Sequence, residues 1–88
     1  MVATIHPFEL FHAIGDASSA KVRRFVVDHS LSEVVRFRNV SYPEVVVDLT
    51  AREGSVESLP ALWNGTELVV GADAIIALLL AWKDVGRG

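Results

Sequence analysis

The sequence contains no cysteine. Disulfide bonds, thiolate metal ligands and cysteine nucleophiles are therefore excluded, because each of them needs the sulfur of that side chain. The absence limits the chemistry open to the chain, although it says nothing about the compartment in which the chain works.

Long apolar runs are also missing. The longest extends from Ala74 to Trp82 and is about half of the roughly 18 residues that cross a membrane. We interpret it as a buried helix or an interface, and we expect no membrane segment. The stretch from Met1 to His6 lacks the basic segment and apolar core of a signal peptide, so we expect a cytoplasmic protein.

The chain has fewer basic residues than acidic ones. The chain has 8 Lys and Arg residues against 11 Asp and Glu residues, which gives a formal net charge of -3. Nucleic acid is therefore not expected as a partner, because phosphate binding depends on clustered basic side chains. Two local basic clusters, Lys21 with Arg23 and Arg24, and Arg36 with Arg38, are interpreted as ordinary solvated faces.

Apolar residues are abundant. They make up 51% of the 88 residues, against 22% charged residues, which is too apolar for a disordered chain. This length has room for one small folded domain, so we predict a single domain over residues 1–88.

The first half of the chain predicts two strands and two helices. A short apolar run from Phe8 to Ile14 indicates a largely buried strand, and apolar spacing of three and four predicts a helix from Ser19 to His29. Alternation of apolar residues with Arg36 and Arg38 predicts an edge strand with one solvated face between residues 33 and 40. A proline in the first turn favours a short helix from Pro43 to Arg52.

The second half predicts a hairpin and a final helix. Two apolar segments flank Asn64-Gly65, a pair that favours the tight turn between antiparallel strands. The apolar run after Gly71 must be helical and is apolar on most sides, while the segment from Lys83 to Gly88 is expected to fray.

This element order resembles the thioredoxin-like fold of glutaredoxins and glutathione transferase N-terminal domains. The most specific part of the resemblance is the run Leu59-Pro60-Ala61-Leu62-Trp63-Asn64-Gly65, followed by Leu68-Val69-Val70-Gly71. The resemblance covers nearly the whole chain. It implies an α/β domain with a four-stranded mixed sheet in the order two, one, three, four. Helices one and three would cover one face of the sheet and helix two the other, and the peptide bond before Pro60 would be cis.

The resemblance also places the reactive tetrad of that family at Asp16-Ala17-Ser18-Ser19. Neither end of the tetrad is cysteine, so thiol-disulfide oxidoreductase activity is excluded. Some glutathione transferases use a serine hydroxyl in this loop to stabilise the thiolate of glutathione, and Ser18 and Ser19 are candidates for that role. The alternative is that serine caps the helix, as it often does at this position.

In the family, a ligand main chain binds to the residue before the cis proline, and the γ-glutamyl group of glutathione binds at the start of the last helix. The corresponding positions here are Leu59, which precedes Pro60, and Gly71, Ala72 and Asp73. Gly71 and Asp73 match the glutaredoxin pattern, whereas the Glu-Ser pair of transferases is absent. Asp73 is either a partner for a ligand ammonium or a first-turn acid favoured by the helix dipole. No resident cofactor is expected, although glutathione is a possible ligand.

The histidines and tryptophans have simpler interpretations. His12 lies close in sequence to Asp16 and Ser18, but a Ser-His-Asp triad needs a geometry that sequence proximity does not supply, so we expect a hydrogen-bonded strand histidine. His6 and His29 show no metal-site spacing. Trp63 and Trp82, which have apolar neighbours, are expected in the core or an interface.

Two hypotheses about function follow. The first is a non-redox thioredoxin-like module that binds a small molecule, peptide or protein through a groove formed by Ser18, Pro60 and Asp73. The second is a transferase-like domain that uses Ser18 or Ser19 to activate glutathione, although the helical domain that normally supplies the electrophile pocket is absent. The apolar last helix also predicts a homodimer or a protein partner.

Overall fold

The computed structural model describes residues 7–86. The expectations about a signal peptide and about His6 concern residues outside this range. The elements in chain order are β1 (Phe8–His12), α1 (Ala17–Asp28), β2 (Val35–Asn39), α2 (Pro43–Ala51), β3 (Ala61–Trp63), β4 (Leu68–Val70) and α3 (Ala72–Gly86). Across these residues, none of the helices has both the length and the apolar character required to cross a bilayer.

The four strands form one mixed sheet in the order β2-β1-β3-β4. β1 pairs in parallel with β2 and antiparallel with β3, and β3 pairs antiparallel with β4. Leu10 therefore lies between Phe37 on one side and Leu62 on the other. The predicted strand order, mixed sheet and edge position of the second strand are confirmed.

Helices α1 and α3 cover one face of the sheet. Their inner residues meet alternate residues of the strands, and the larger core cluster consists of Phe8, Leu10, Val22, Val26, Leu31, Val35, Leu62, Ile75 and Leu79. The ring of Trp82 packs edge-on against Phe8, with the ring centroids 5.6 Å apart. This face holds most of the buried apolar surface, which is the main favourable contribution to folding.

Helix α2 covers the opposite face with a smaller cluster of Phe11, Val45, Leu49 and Ala61. Successive strand residues point to opposite faces, so β1 contributes Leu10 to one layer and Phe11 to the other. The predicted division of the helices between the two faces is confirmed.

Helix boundaries differ from the predictions by one to three residues at most ends. Helix α1 begins at Ala17, because Asp16 is its N-cap and its carboxylate accepts a hydrogen bond from the Ser19 N–H at 2.8 Å. Helix α3 continues to Gly86, so most of the segment from Lys83 that is expected to fray belongs to this helix. Its last turns are held by the contact of Trp82 with Phe8 and by Lys83 Nζ, which lies 3.2 Å from His29 Nδ1.

The predicted hairpin and cis peptide bond are both present. The side-chain oxygen of Asn64 accepts hydrogen bonds from the N–H groups of Thr66 and Glu67, each at 2.9 Å, and Gly65 adopts a φ of 103°. The Leu59–Pro60 bond is cis, and Pro60 is fully buried.

The expectation that the arginine face of β2 is solvated holds for Arg36, which is exposed, but is wrong for Arg38. Arg38 is only 9% exposed because α2 covers that face of the sheet, whereas Phe37 on the opposite face is 40% exposed. The alternation correctly predicted a strand, but the charged residues point towards α2 and the aromatic residue lies at the rim of the other layer.

Candidate functional site

The structure brings the cis proline and the start of α3 together. The Gly71 N–H donates to the Pro60 carbonyl oxygen at 2.9 Å, and Gly71 has a φ of 104°, a conformation that glycine adopts without steric cost. The Gly71 carbonyl then accepts the Ile75 N–H at 3.0 Å, so α3 begins directly beside Pro60. We call the surface formed by Leu59, Gly71, Ala72 and Asp73 around the Pro60 position the Pro60 surface, although the side chain of Pro60 is itself buried beneath it and is not available as the contact expected from the sequence.

The main chain of Leu59 has no hydrogen-bonding partner among residues 7–86. Leu59 is half-buried, and its side chain packs against the α2 core cluster. Among the backbone hydrogen bonds of the described residues, none uses the Leu59 N–H or C=O. A buried or half-buried main-chain group without a partner is uncommon, so this donor and acceptor are suited to a ligand main chain.

Asp73 is tied to α1 rather than left free. Its Oδ1 atom lies 3.1 Å from Lys21 Nζ, and the two side chains are 93% and 60% exposed. Ser18 lies three residues before Lys21, about one helical turn away and on the same side of α1. The ion pair therefore connects this side of α1 with the Pro60 surface, although an exposed pair of this kind contributes little stability.

The two candidate serines have different environments. Ser19 is fully buried, and its Oγ accepts a hydrogen bond from the Ala13 N–H at 3.2 Å, so this hydroxyl holds the β1–α1 loop. Ser18 is exposed in the first turn of α1. The interpretation that a serine caps α1 is corrected, since Asp16 occupies the cap position.

His12 is a hydrogen-bonded strand histidine, as expected. It is 4% exposed, its Nδ1 atom lies 3.1 Å from the Arg23 guanidinium, and its ring packs edge-on against Phe37. Burial lowers the pKa of His12, and the charge of Arg23 lowers it further. The His12 ring pairs with Arg23, the Asp16 carboxylate accepts the Ser19 N–H, and Ser18 is exposed, so His12, Asp16 and Ser18 form no Ser-His-Asp relay within residues 7–86. Residues 7–86 also contain no cluster of three or more potential metal ligands.

Sequence reasoning missed a charged cluster beneath α2. Glu9 Oε1 accepts hydrogen bonds from Arg38 and Arg52, and Arg38 also donates to Asp48, with all three donor–acceptor distances at 2.6 Å. Burial opposes ionisation of Glu9, but the hydrogen bonds from Arg52 and Arg38 outweigh it and hold the pKa of Glu9 below its usual value. The sequence did contain one indication, because an acid in the middle of an apolar strand needs a partner.

A cavity of about 630 Å³ lies between the end of α2 and the hairpin. It is lined by Ala51, Arg52, Glu53, Trp63, Thr66, Glu67, Leu68 and Val70. The Arg52 guanidinium lies over the Trp63 ring, 5.1 Å from its centroid. Gly54 packs closely against Leu49 and the lining residue Leu68, because a Cβ atom at Gly54 would overlap the δ carbons of both.

Comparison of the chain with protein-family models gives no match, and comparison with curated proteins gives none either. The functional proposals below therefore rest on the residues and their geometry.

Proposed function

We propose that this chain is a non-redox, thioredoxin-like binding domain whose Pro60 surface accepts a small molecule, a peptide or an extended segment of a partner protein. The absence of cysteine removes thiol chemistry, while the element order and the cis Leu59–Pro60 bond agree with the family that the sequence resembles.

One observation carries this proposal. The N–H and C=O of Leu59, which have no hydrogen-bonding partner among residues 7–86, belong to the residue immediately before Pro60, and the Pro60 carbonyl accepts the N–H of Gly71, the residue that precedes α3. An extended ligand main chain can pair with both groups of Leu59, as a strand pairs with a sheet edge. An anionic group on the same ligand would then be favoured by the N-terminus of α3.

Amide chemical shifts test this proposal directly. Titration of the isotope-labelled protein with glutathione, with S-methylglutathione and with a short extended peptide should shift the amide signals of Leu59, Gly71 and Ala72 for at least one probe. Asp73→Ala should weaken binding of glutathione and S-methylglutathione, because the carboxylate that would pair with their ammonium group is removed, whereas Asp84→Ala, which removes an exposed acid at the other end of α3, should not. Shifts confined to other surfaces, or no shifts with any probe, would rule the proposal out.

A transferase-like activity is the second candidate, and the exposure of Ser18 favours it. Because Ser19 is buried and bonded to Ala13, only Ser18 is accessible to a glutathione thiolate. A standard conjugation assay should then show turnover that is lost in Ser18→Ala. Ser19→Ala should instead lower stability, by about 1–2 kcal/mol, because the Ala13 N–H loses its acceptor. Glutathione binding without turnover dismisses this candidate and leaves the binding domain.

We also propose that the outward side of α3 forms a homodimer contact. Ala74, Ala77 and Ala81 are exposed on that side, and Leu80 is 41% exposed beside them. Small side chains allow two helices to approach closely, and Leu80 supplies apolar area. Light scattering should show a dimer that Leu80→Glu dissociates. A wild-type protein that stays monomeric at high concentration would exclude the homodimer and leave a different protein partner for α3.

A further inference from the structure

An exposed apolar strip lies between α1 and the outer strand β2. Phe37 of β2 is 40% exposed and Val27 of α1 is 59% exposed. A shallow cavity of about 480 Å³ separates α1 from Phe37 and is lined by Ala20, Arg23, Arg24, Val27, Asp28 and Phe37. We call this region the Phe37 edge. It is separate from the Pro60 surface in residues and in position in the sheet.

Basic groups surround the Phe37 edge although the whole chain has a net charge of -3. Arg23 is held in place by hydrogen bonds from its guanidinium to the carbonyl oxygens of Ala13 and Ile14, at 3.1 and 3.4 Å. Arg24 is exposed, and within residues 7–86 its side chain makes no ion pair. Arg36, next to Phe37 on β2, is exposed on the other face of the strand. Asp28 is the one acidic residue lining the cavity.

The main chain of β2 is unpaired on its outer side at Phe37. β2 is an edge strand that pairs in parallel with β1. At one end of this pairing the Phe8 N–H donates to the Val34 carbonyl at 3.1 Å, and at the other end the Val40 N–H donates to the His12 carbonyl at 3.0 Å. Every second residue of a strand directs its main-chain N–H and C=O groups to the same neighbouring strand. The main-chain groups of residues 34, 36, 38 and 40 are therefore directed towards β1. The N–H and C=O of Phe37 therefore face away from the sheet.

We propose that the Phe37 edge binds an extended acidic segment of a partner protein by addition of a strand to β2. The segment's main chain pairs with the N–H and C=O of Phe37. Its alternate side chains meet the two faces of the sheet, apolar ones over Phe37 and Val27 and acidic ones beside Arg36. Acidic groups at its flank reach Arg24. Main-chain pairing supplies affinity in this mode of recognition, and the side chains supply specificity.

Charge complementarity selects this occupant over a second copy of the chain. Antiparallel pairing of two β2 strands about Phe37 would place Arg36 of each copy opposite Arg38 of the other. Glu9 and Asp48 compensate Arg38, but the exposed Arg36 makes no ion pair within residues 7–86 and brings a positive charge from each copy to the strand pair. Like charges directly opposite each other destabilise a strand pair, and arginines on an edge strand commonly prevent self-association. An acidic strand replaces that repulsion with attraction at Arg24 and Arg36.

Hydrogen exchange and affinity measurements with a defined probe test the proposal. The probe is a short capped peptide that alternates glutamate and valine, and the control peptide alternates lysine and valine. The acidic probe should slow exchange of the Phe37 amide by about tenfold or more at saturation, because that amide becomes hydrogen-bonded. A third peptide with proline in place of the central valine removes a main-chain donor and should bind at least about tenfold more weakly.

Charge variants separate this edge from a general electrostatic effect. Arg24→Glu should weaken binding of the acidic probe by about tenfold or more, since it replaces an attraction with a repulsion. Lys83→Glu makes the same change of charge on α3 and should leave the affinity within about twofold. Asp73→Ala, which tests the Pro60 surface, should also leave this affinity unchanged, so the two proposals fail independently.

Several results would overturn the proposal. These are an unprotected Phe37 amide at about 1 mM acidic probe, equal affinity for the lysine and glutamate peptides, and equal binding of the proline peptide. An affinity unaffected by Arg24→Glu would do the same. Tighter binding of single-stranded nucleic acid than of the acidic probe, with the Phe37 amide unprotected, would show a polyanion surface instead.

Discussion

Glu9 is the carboxylate that binds both arginines of the charged cluster beneath α2. Its carboxylate is 19% exposed and accepts hydrogen bonds from Arg38 and Arg52, whose side chains are 10% and 26% exposed. Removing one partner of such a cluster costs more than the cluster contributes, because the remaining charges stay buried without compensation. We therefore expect Glu9→Gln to lower the free energy of unfolding by about 2–3 kcal/mol in urea denaturation.

The control for Glu9→Gln is Asp73→Asn, the same chemical change in an exposed ion pair with Lys21. Solvent screens that pair, so Asp73→Asn should change the free energy of unfolding by less than about 0.5 kcal/mol. Similar losses in both variants would contradict the assignment of the Glu9 cluster as a buried network.

His12 should make stability depend on pH in the near-neutral range. Burial and Arg23 lower its pKa in the folded state, so near and below about pH 6.5 the unfolded chain binds more protons than the folded one. Its contribution to stability is present above that pH and is lost as the pH falls through the folded-state pKa. Urea denaturation at about pH 7.5 and about pH 5.5 should show lower stability at the acidic value.

Two substitutions test whether the imidazole ring of His12 causes this pH dependence of the unfolding free energy. His12→Asn should reduce the difference in unfolding free energy between the two pH values, because the titrating group is gone. His29→Asn removes a histidine that is only half-buried and should retain most of the difference. An unchanged difference in His12→Asn would show that another group is responsible.

Residue-level prediction succeeded where local sequence determines the geometry. The turn at Asn64-Gly65 depends on residues adjacent in the chain and is present, whereas the cis bond before Pro60, also present, was expected from the family resemblance and not from local sequence. The Glu9 cluster was missed because its members come from β1, β2 and α2, and their meeting depends on which face α2 covers. Leu59 was expected as a contact position, but that its main chain has no hydrogen-bonding partner among residues 7–86 is visible only in the structure.

At the scale of elements, the β3–β4 hairpin depends on the backbone of Gly65. Its φ of 103° lies in the region that non-glycine residues adopt at a cost of about 1–2 kcal/mol, and a Cβ atom there would meet nothing within 4 Å. Gly65→Ala should therefore lower the free energy of unfolding by about 1 kcal/mol through backbone conformation alone. Thermal denaturation followed by circular dichroism measures this loss.

Gly15→Ala is the matched comparison, because a Cβ atom at Gly15 also meets nothing within 4 Å and its φ is not in that region. This variant should be neutral or slightly stabilising, since alanine reduces the entropy of the unfolded chain. Equal destabilisation by both substitutions would show that the positive φ of Gly65 is not the cause.

Elements were predicted more reliably than the direction in which they face. The alternation in β2 correctly indicated a strand at the sheet edge, because the period of two is a local property. It did not show that α2 would cover the arginine side, since that depends on the path of the chain after β2. Consequently Arg38 was expected in solvent, and the exposure of Phe37 was not expected.

At the scale of the whole molecule, the two core layers should unfold together. β1 supplies Phe8 and Leu10 to one layer and Phe11 to the other, so neither layer can lose its strands without disrupting its neighbour. The two tryptophans report on different layers, because Trp82 packs with the α1–α3 cluster and Trp63 with the α2 cluster. Small single domains of this kind usually unfold in one cooperative step.

Single-tryptophan variants test this cooperativity. Trp63→Phe leaves fluorescence from the α1–α3 layer, and Trp82→Phe leaves fluorescence from the α2 layer. Within each variant, the urea midpoint from fluorescence should coincide with the midpoint from circular dichroism. A fluorescence transition of either variant that precedes its circular dichroism transition would show that one layer unfolds independently.

Gly54 has a consequence for how the cavity beside α2 can change during evolution. A Cβ atom at position 54 would overlap the δ carbons of Leu68, which lines the cavity, and of Leu49, which belongs to the α2 core cluster, so larger residues at position 54 would disturb that cluster. The outer wall is formed by Thr66, Glu67 and Val70, which are exposed and free of such packing. Mutations that alter the size or polarity of this cavity should therefore accumulate on the hairpin, where the fold tolerates them.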